Sequence, residues 1–136
     1  MNDSPDDATL REILDADTIA VVGCSSTPGK DAHEIPRYLK DAGYTVIPVN
    51  PYADEIFGRP AVDDLGEVET TIDIVDVFRP SAEVGGIVES VLDRDDVETV
   101  WLQLGIRNDR AGRQVRKSGR TFVQDSCLKV EHRRLM

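Results

Sequence analysis

The sequence predicts an α/β fold in which a single, doubly wound sheet is covered by helices on both faces. Three observations support this prediction. Apolar runs of strand length recur along the chain, and segments with helical periodicity separate them. The chain has 136 residues, a length typical of one domain. Strands that alternate with helices form right-handed βαβ units, and these units build a mostly parallel sheet.

Five segments have the composition of strands in such a sheet. They span residues 18–23, 45–49, 72–78, 97–104 and 121–123. Each is dominated by apolar residues, as expected for strands that are buried on both faces. The sequence therefore predicts one five-stranded, mostly parallel, Rossmann-like sheet, with the strand order 3-2-1-4-5.

The helices and the domain boundaries are predicted from the remaining segments. Residues 1–17 are expected to hold an N-terminal helix, because Ser4-Pro5 combines an N-cap residue with a proline suited to the first helical position. Residues 18–136 are expected to form the nucleotide-binding core, so that 1–136 is a single domain. Further apolar stripes with helical spacing occupy 35–42, 84–92 and 111–118.

The composition excludes several classes of protein. The chain is 40% hydrophobic and 31% charged, which is globular and not disordered. Cys24 and Cys127 cannot make a disulfide scaffold, and they lack the spacing of a zinc site. The longest apolar run is too short to span a membrane, and the acidic N-terminus is unlike a signal peptide. We therefore expect a cytoplasmic protein without a membrane partner.

The charge is strongly acidic and unevenly distributed. The formal net charge of −10 argues against nucleic-acid binding, which depends on neutralising phosphates. The chain has 17 Asp, 9 Glu and only 4 Lys. This composition favours adaptation to high salt, and the alternative is an ordinary acidic protein. The segment 110–120 is instead basic, and it would face an anionic ligand, another subunit or the acidic surface of its own chain.

The first predicted strand leads into a turn of small residues that is suited to phosphate binding. Gly23 lets backbone N–H groups approach a phosphate, and the following helix N-terminus adds partial positive charge. Ser25 and Ser26 supply hydroxyl donors, and Lys30 supplies a full charge. The turn fits neither a Walker A loop, because five residues separate Gly23 from the Gly-Lys pair, nor the dinucleotide fingerprint, whose second and third glycines are absent. A tight turn without a ligand is the alternative.

Polar and aromatic residues also follow the next three strands, at the edge where ligands bind in doubly wound sheets. Asn50-Pro51 combines a rigid turn with a side-chain amide, in place of the acid that would bind a ribose diol. Phe78-Arg79 places an aromatic ring beside a guanidinium that can bind phosphate. After the fourth strand come Gln103, Gly105 and Asn108. Convergence of these strand ends at one edge predicts a nucleotide site.

Several blocks of the sequence resemble the stand-alone CoA-binding domain family, which is related to the N-terminal domain of the succinyl-CoA synthetase alpha subunit. These blocks span residues 19–25, 43–51, 75–79, 100–108 and 125–135. The resemblance implies a Rossmann-type domain that holds coenzyme A, or an acyl-CoA, at its strand ends. It implies that Gly23, Ser25 and Lys30 belong to the phosphate-facing loop. It further implies that the residues at the other strand ends line and close the crevice. Ligase activity is not implied, because the resemblance stops before the domain that carries a phosphohistidine.

No catalytic residue and no metal site is predicted. Neither His33 nor His132 has an adjacent nucleophile, and a Cys24–His33 pair is conceivable only in space. The leading interpretation is a CoA-binding protein without catalysis of its own. The alternatives are a small NAD(P)- or other nucleotide-dependent enzyme that uses the same crevice, and an interaction protein that docks a partner through its basic helix.

Overall fold

A computed structural model describes residues 5–136, and its main sheet has the predicted five parallel strands. Every pair of neighbouring strands in this sheet is parallel. The strands are β1 (Thr18–Val22), β2 (Thr45–Val49), β5 (Ile74–Val77), β6 (Thr99–Leu102) and β7 (Thr121–Val123). A separate two-stranded antiparallel hairpin joins β3 (Glu55–Ile56) to β4 (Arg59–Pro60).

The strand order differs from the prediction. The sheet runs β2-β1-β5-β6-β7, so the order of its strands is 2-1-3-4-5 and not 3-2-1-4-5. The reason lies in β2. Pro48 has no N–H group, and proline in a sheet is confined to an edge strand. The outer side of β2 instead meets the short segment at Val62, which donates its N–H to the Pro48 carbonyl oxygen at 3.1 Å.

The helices cover both faces of the sheet, as predicted. They are α1 (Asp7–Leu14), α2 (Asp31–Asp41), α3 (Val84–Leu92), α4 (Asp109–Lys117) and α5 (Leu128–Leu135). Helices α3 and α4 pack on one face, where Val84, Val88 and Val115 are fully buried. Helices α1, α2 and α5 pack on the other face, around Trp101 and Leu39. The fold is therefore a three-layer, doubly wound α/β domain.

The N-terminal helix starts later than predicted. Ser4 lies outside the described residues, and Pro5 precedes the helix. Asp6 is the N-cap residue, and its carboxylate accepts a hydrogen bond from the N–H of Thr9 at 2.9 Å. An aspartate side chain reaches a free N–H group of the first turn, so the helix begins at Asp7.

Two arginines form hydrogen bonds to backbone carbonyl oxygens in the segments that connect the strands. Arg94 donates to the carbonyl oxygens of Leu65 and Val68 at 2.7 and 2.9 Å, and it also pairs with Asp96 at 2.8 Å. Arg120 donates from Nε to the Val97 carbonyl oxygen at 2.8 Å. Arg120 belongs to the basic segment 110–120, and its guanidinium donates to backbone carbonyl oxygens of its own chain.

The chain reverses its direction of travel across the sheet between β1 and β5. From β1 it moves outward to β2, and then it returns to add β5, β6 and β7 on the other side. The connections that leave the carboxyl ends of β1 and β5 therefore diverge and open a crevice, which is the usual ligand site of doubly wound sheets. Within the described residues, none of the helices combines the length and the apolar character that crossing a membrane requires.

Candidate binding site

A crevice of about 590 Å³ opens at the carboxyl ends of β1, β2 and β5. Its walls are the strand ends at 22–23 and 49–52, the segment 63–65 and six residues between 79 and 90. Four of the predicted site residues line it. They are Gly23, Asn50, Pro51 and Arg79. The structure thus brings together the ends of three strands at the point where the chain reverses the direction in which it adds strands to the sheet.

Gly23 and Arg79 are in close contact across this crevice. Gly23 has a positive φ of 87°, which favours glycine, and a Cβ atom at this position would lie 2.8 Å from Cδ of Arg79. The Arg79 guanidinium forms two hydrogen bonds with the Glu83 carboxylate, from Nη2 at 2.7 Å and from Nε at 3.1 Å. This pairing raises the pKa of Arg79, so the guanidinium is a permanent cation. The absence of a side chain at Gly23 lets the arginine lie across the turn.

Asn50 shapes the crevice through its backbone neighbours. Its Nδ2 donates to the Cys24 carbonyl oxygen at 2.9 Å, and its Oδ1 accepts from the N–H of Tyr52 at 2.8 Å. The amide therefore links the turn after β1 to the turn after β2. Tyr52 follows as a crevice residue with 94% of its surface exposed. Its position directly after Asn50-Pro51 was the sequence signal that could have identified it.

The loop that joins β1 to α2 is held by a hydrogen bond to the first turn of that helix. Pro36, inside α2, has no N–H to give to the Ala32 carbonyl oxygen. That oxygen instead accepts from the N–H of Ser25 at 2.9 Å. Ser26 and Lys30 are exposed, and Lys30 is the N-cap residue of α2 without a side-chain cap. None of Ser25, Ser26 and Lys30 lines the crevice itself.

Four other predicted residues have separate places in the fold. Phe78 is half-buried in the core on the opposite face from the crevice, because successive residues of an extended chain point to opposite sides. Gln103 is buried, and its Oε1 accepts from the N–H of Leu128 at the start of α5. The Asn108 side chain caps α4 by accepting from the N–H of Ala111. The N–H of Gly105 donates to the carboxylate of Asp125, which lies just after β7. These four residues do not line the crevice.

Three carboxylates line the crevice, and the sequence analysis did not identify them. Asp63 and Asp64 belong to the segment beside β2, and Glu83 ends the short 3₁₀ turn Ser81–Glu83 before α3. They lie outside the strand ends on which the prediction concentrated. Arg79 is the one cationic side chain among the described residues that line the crevice. The crevice is therefore acidic on two walls.

A buried carboxyl and a buried thiol lie on the other face of the sheet. Asp76 is 0% exposed, and within residues 5–136 neither oxygen of its side chain has a hydrogen-bond partner. Burial raises the pKa of this carboxyl well above its usual value. Burial and the nearby Asp76 raise the pKa of Cys24 to about 12, so its sulfur is a thiol at neutral pH. A thiol is a weaker nucleophile and metal ligand than a thiolate.

Both histidines form hydrogen bonds and aromatic contacts within the fold. Nδ1 of His33 donates to the Ser25 carbonyl oxygen at 2.7 Å, and its ring packs on Phe57 with the centroids 4.8 Å apart. Nδ1 of His132 is hydrogen-bonded to the Tyr38 hydroxyl at 2.7 Å. In the described part of the chain, no hydrogen bond joins Cys24 to His33. The same part shows no group of three or more His, Cys, Asp and Glu side chains placed to hold a metal ion.

Comparison with known proteins identifies the family of the chain. Residues 17–133 match the family described as "CoA binding domain". The uncharacterized protein YneT of Bacillus subtilis is 42% identical over 130 residues, which are 95% of this chain and 96% of that protein. The structure of cell-free ID.343 from Thermus thermophilus has a TM-score of 0.92 and 41% identity, and the match covers 97% of this chain and all of that one.

A longer relative carries a similar region. An ADP-forming acetate–CoA ligase of Methanocaldococcus jannaschii is 34% identical over 83 residues, which are 61% of this chain and 12% of the ligase. The expected resemblance and the expected Rossmann-like fold are both confirmed. The family match spans all five strands of the main sheet and the crevice at their carboxyl ends. The chain therefore belongs to the CoA binding domain family.

Proposed function

We propose that this chain binds coenzyme A, or an acyl-CoA, with the adenosine diphosphate part in the crevice at Gly23 and Arg79. The observation that carries the proposal is the position of Arg79, whose side-chain carbons lie against the Gly23 turn at the switch point of a CoA-binding family fold. A guanidinium binds phosphate oxygens in a bidentate manner, and a glycine turn lets the diphosphate approach the backbone.

Residues near Gly23 and Arg79 can contact the base and the phosphates of the ligand. The exposed ring of Tyr52 offers a face on which a base can stack, an interaction of about 1–3 kcal/mol in single-stranded nucleic-acid complexes. Lys30, the N-cap residue of α2, follows the turn after β1 and offers a further positive charge. Ser25 and Ser26 complete the phosphate-facing loop. Gln103, Gly105 and Asn108 support the neighbouring loops and are not direct contacts in this proposal.

The same proposal assigns no catalytic step to the chain. The Cys24 thiol is buried and protonated at neutral pH, and both histidines are engaged in packing contacts. Binding without chemistry is the simplest function that this set of groups supports. The alternative is an enzyme that uses NAD(P) or another nucleotide, for which the turn after β1 lacks the second and third fingerprint glycines.

Calorimetric titration with CoA, acetyl-CoA and NAD tests the proposal. We expect CoA or acetyl-CoA to bind and NAD to bind far more weakly. Arg79→Ala should weaken CoA binding by about tenfold, because it removes a charge-assisted contact. Arg113→Ala is the matched control, since it removes the same charge from an exposed position of α4. Failure of both CoA ligands to bind the unaltered chain would contradict the proposal, and so would tight binding of NAD alone.

A further inference from the structure

A carboxylate of the chain itself is bound to the cationic group of the crevice. Arg79 and Glu83 both line the crevice. The Glu83 carboxylate accepts from Nη2 of Arg79 at 2.7 Å and from Nε at 3.1 Å. These two donors lie side by side on one edge of the planar guanidinium, an arrangement that binds two oxygens of a carboxylate or of a phosphate. Glu83 therefore uses donors that a phosphate ester would also use.

Both members of this pair are held in position by the fold. Side-chain carbons of Arg79 lie against the turn at Gly23, where a Cβ atom would come within 2.8 Å of Cδ. Glu83 ends the short 3₁₀ turn that begins at Ser81. The Ser81 hydroxyl oxygen accepts from the N–H of Arg107 at 3.0 Å, which ties this turn to the loop after β6. The ion pair thus joins two restrained segments at the mouth of the crevice.

The location of Glu83 indicates competition with a ligand and not support for it. A carboxylate that only orients an arginine lies behind the guanidinium, away from the ligand. Glu83 instead lines the crevice, and 48% of its side chain is exposed. Its negative charge faces the space that a phosphate bound to Arg79 would occupy, and it repels that phosphate. The carboxylate and a ligand phosphate therefore compete for one guanidinium.

We propose that Glu83 is a built-in competitor for the phosphate-binding Arg79, and that it sets the affinity of this site for the diphosphate of CoA. This inference rests on the proposed function, which places the diphosphate at Gly23 and Arg79. The carboxylate occupies the guanidinium before the ligand binds, and the diphosphate takes its place when the ligand enters. Because an exposed ion pair is weak, a diphosphate can displace the carboxylate with only a modest loss of affinity.

Calorimetric titration of CoA into Glu83→Gln tests the competition. This variant keeps the size of the side chain, and it replaces the carboxylate with a neutral amide that binds a guanidinium more weakly. We expect Glu83→Gln to bind CoA about two- to fivefold more tightly than the unaltered chain. The same substitution in an Arg79→Ala background should give no such gain, because no guanidinium is then left to compete for.

Glu12→Gln is the matched control for the change in net charge. Glu12 is an exposed residue of α1, and it lies near the amino ends of β5 and β6, at the opposite edge of the sheet from the crevice. This variant should bind CoA with the affinity of the unaltered chain. Circular dichroism should show every variant folded, since an exposed ion pair contributes little to stability.

The outcomes separate this inference from the proposed function. If CoA binds the unaltered chain but binds Glu83→Gln equally well or more weakly, the inference is overturned and the proposed function stands. An equal gain with and without Arg79 also overturns the inference, because Glu83 would then only repel the ligand. If CoA binds neither the unaltered chain nor Glu83→Gln, the proposed function fails and the inference fails with it.

Discussion

Gly23 combines a backbone conformation and a contact that a larger residue would disturb. Its φ of 87° disfavours other residues, and a Cβ atom would meet Cδ of Arg79 at 2.8 Å and the Phe78 carbonyl oxygen at 3.1 Å. We expect Gly23→Ala to lower the free energy of unfolding by about 1–3 kcal/mol. Because it also displaces Arg79, it should weaken CoA binding. Urea unfolding and calorimetric titration measure the two effects.

Gly43→Ala is the matched control for this prediction. Gly43 also has a positive φ, of 110°, but a Cβ atom there would have no neighbour within 4 Å among the described residues. It lies after the end of α2, away from the carboxyl ends of the strands. This variant should therefore lose stability while it keeps the affinity for CoA. Equal losses of affinity in the two variants would refute a specific role for the Gly23–Arg79 contact.

The buried carboxyl of Asp76 predicts a pH dependence of stability. Its pKa is raised in the folded chain from an ordinary value of 3.8, so the folded state keeps a proton that the unfolded state loses. Above about pH 4 its contribution therefore lowers the free energy of unfolding, by up to about 1.4 kcal/mol per pH unit, until the folded group also ionises. Asp76→Asn removes this contribution and should gain stability relative to the unaltered chain as the pH rises above about 4.

Urea unfolding at several pH values measures that difference, and Asp95→Asn serves as an exposed control. The advantage of Asp76→Asn over the unaltered chain should grow with pH, whereas the effect of Asp95→Asn should stay nearly constant. A constant difference for Asp76→Asn as well would show that the carboxyl is not protonated in the folded chain.

At the scale of elements, Arg94 holds the connection between β2 and β5. It donates to the carbonyl oxygens of Leu65 and Val68 and pairs with Asp96, which also accepts from the N–H of Ile72. Since Leu65 lines the crevice, this connection forms one of its walls. We expect Arg94→Ala to lower the free energy of unfolding by about 2–4 kcal/mol, because it leaves carbonyl oxygens and a carboxylate without their donor.

Urea unfolding checks this prediction against Arg113→Ala, which removes an exposed arginine and should change stability by less than about 0.5 kcal/mol. Arg94→Lys should retain only part of the stability, because an ammonium group cannot reproduce the planar fork of the guanidinium. Equal stabilities of Arg94→Ala and Arg113→Ala would show that the hydrogen bonds of Arg94 do not hold the connection.

At the scale of the whole molecule, the net charge of −10 predicts that salt stabilises the fold. Carboxylates that repel one another on the surface are screened as the Debye length falls from about 10 Å at 0.1 M salt to about 3 Å at 1 M. The Tm should therefore rise with KCl over this range, as expected for a protein adapted to high salt. A Tm that is flat, or higher at low salt, would contradict that adaptation. Thermal unfolding followed by circular dichroism measures it.

The local pattern of the sequence was sufficient to predict the five strands of the main sheet and the helices α1 to α4, but it did not predict α5 or the hairpin β3–β4. The apolar runs around Ile19, Val46 and Val75 are strands because each can be buried on both faces of a sheet. A helix separates the first of these runs from the second, which favours parallel pairing, and parallel strands bring their carboxyl ends to one edge. For this reason Gly23 and Arg79, which are 56 positions apart, could be expected near one another before any contact was known.

Tertiary structure decided the strand order and which side chains share the crevice. Pro48 signalled an edge strand, but the order follows from which strand edges remain free for pairing after the whole chain has folded. Neighbouring residues such as Phe78 and Arg79 lie on opposite sides of the sheet, because side chains alternate along an extended chain. Asp63 and Asp64 reach the crevice through a connection without strand or helix periodicity. Local pattern carries no information about such placements, since they depend on contacts between segments distant in the sequence.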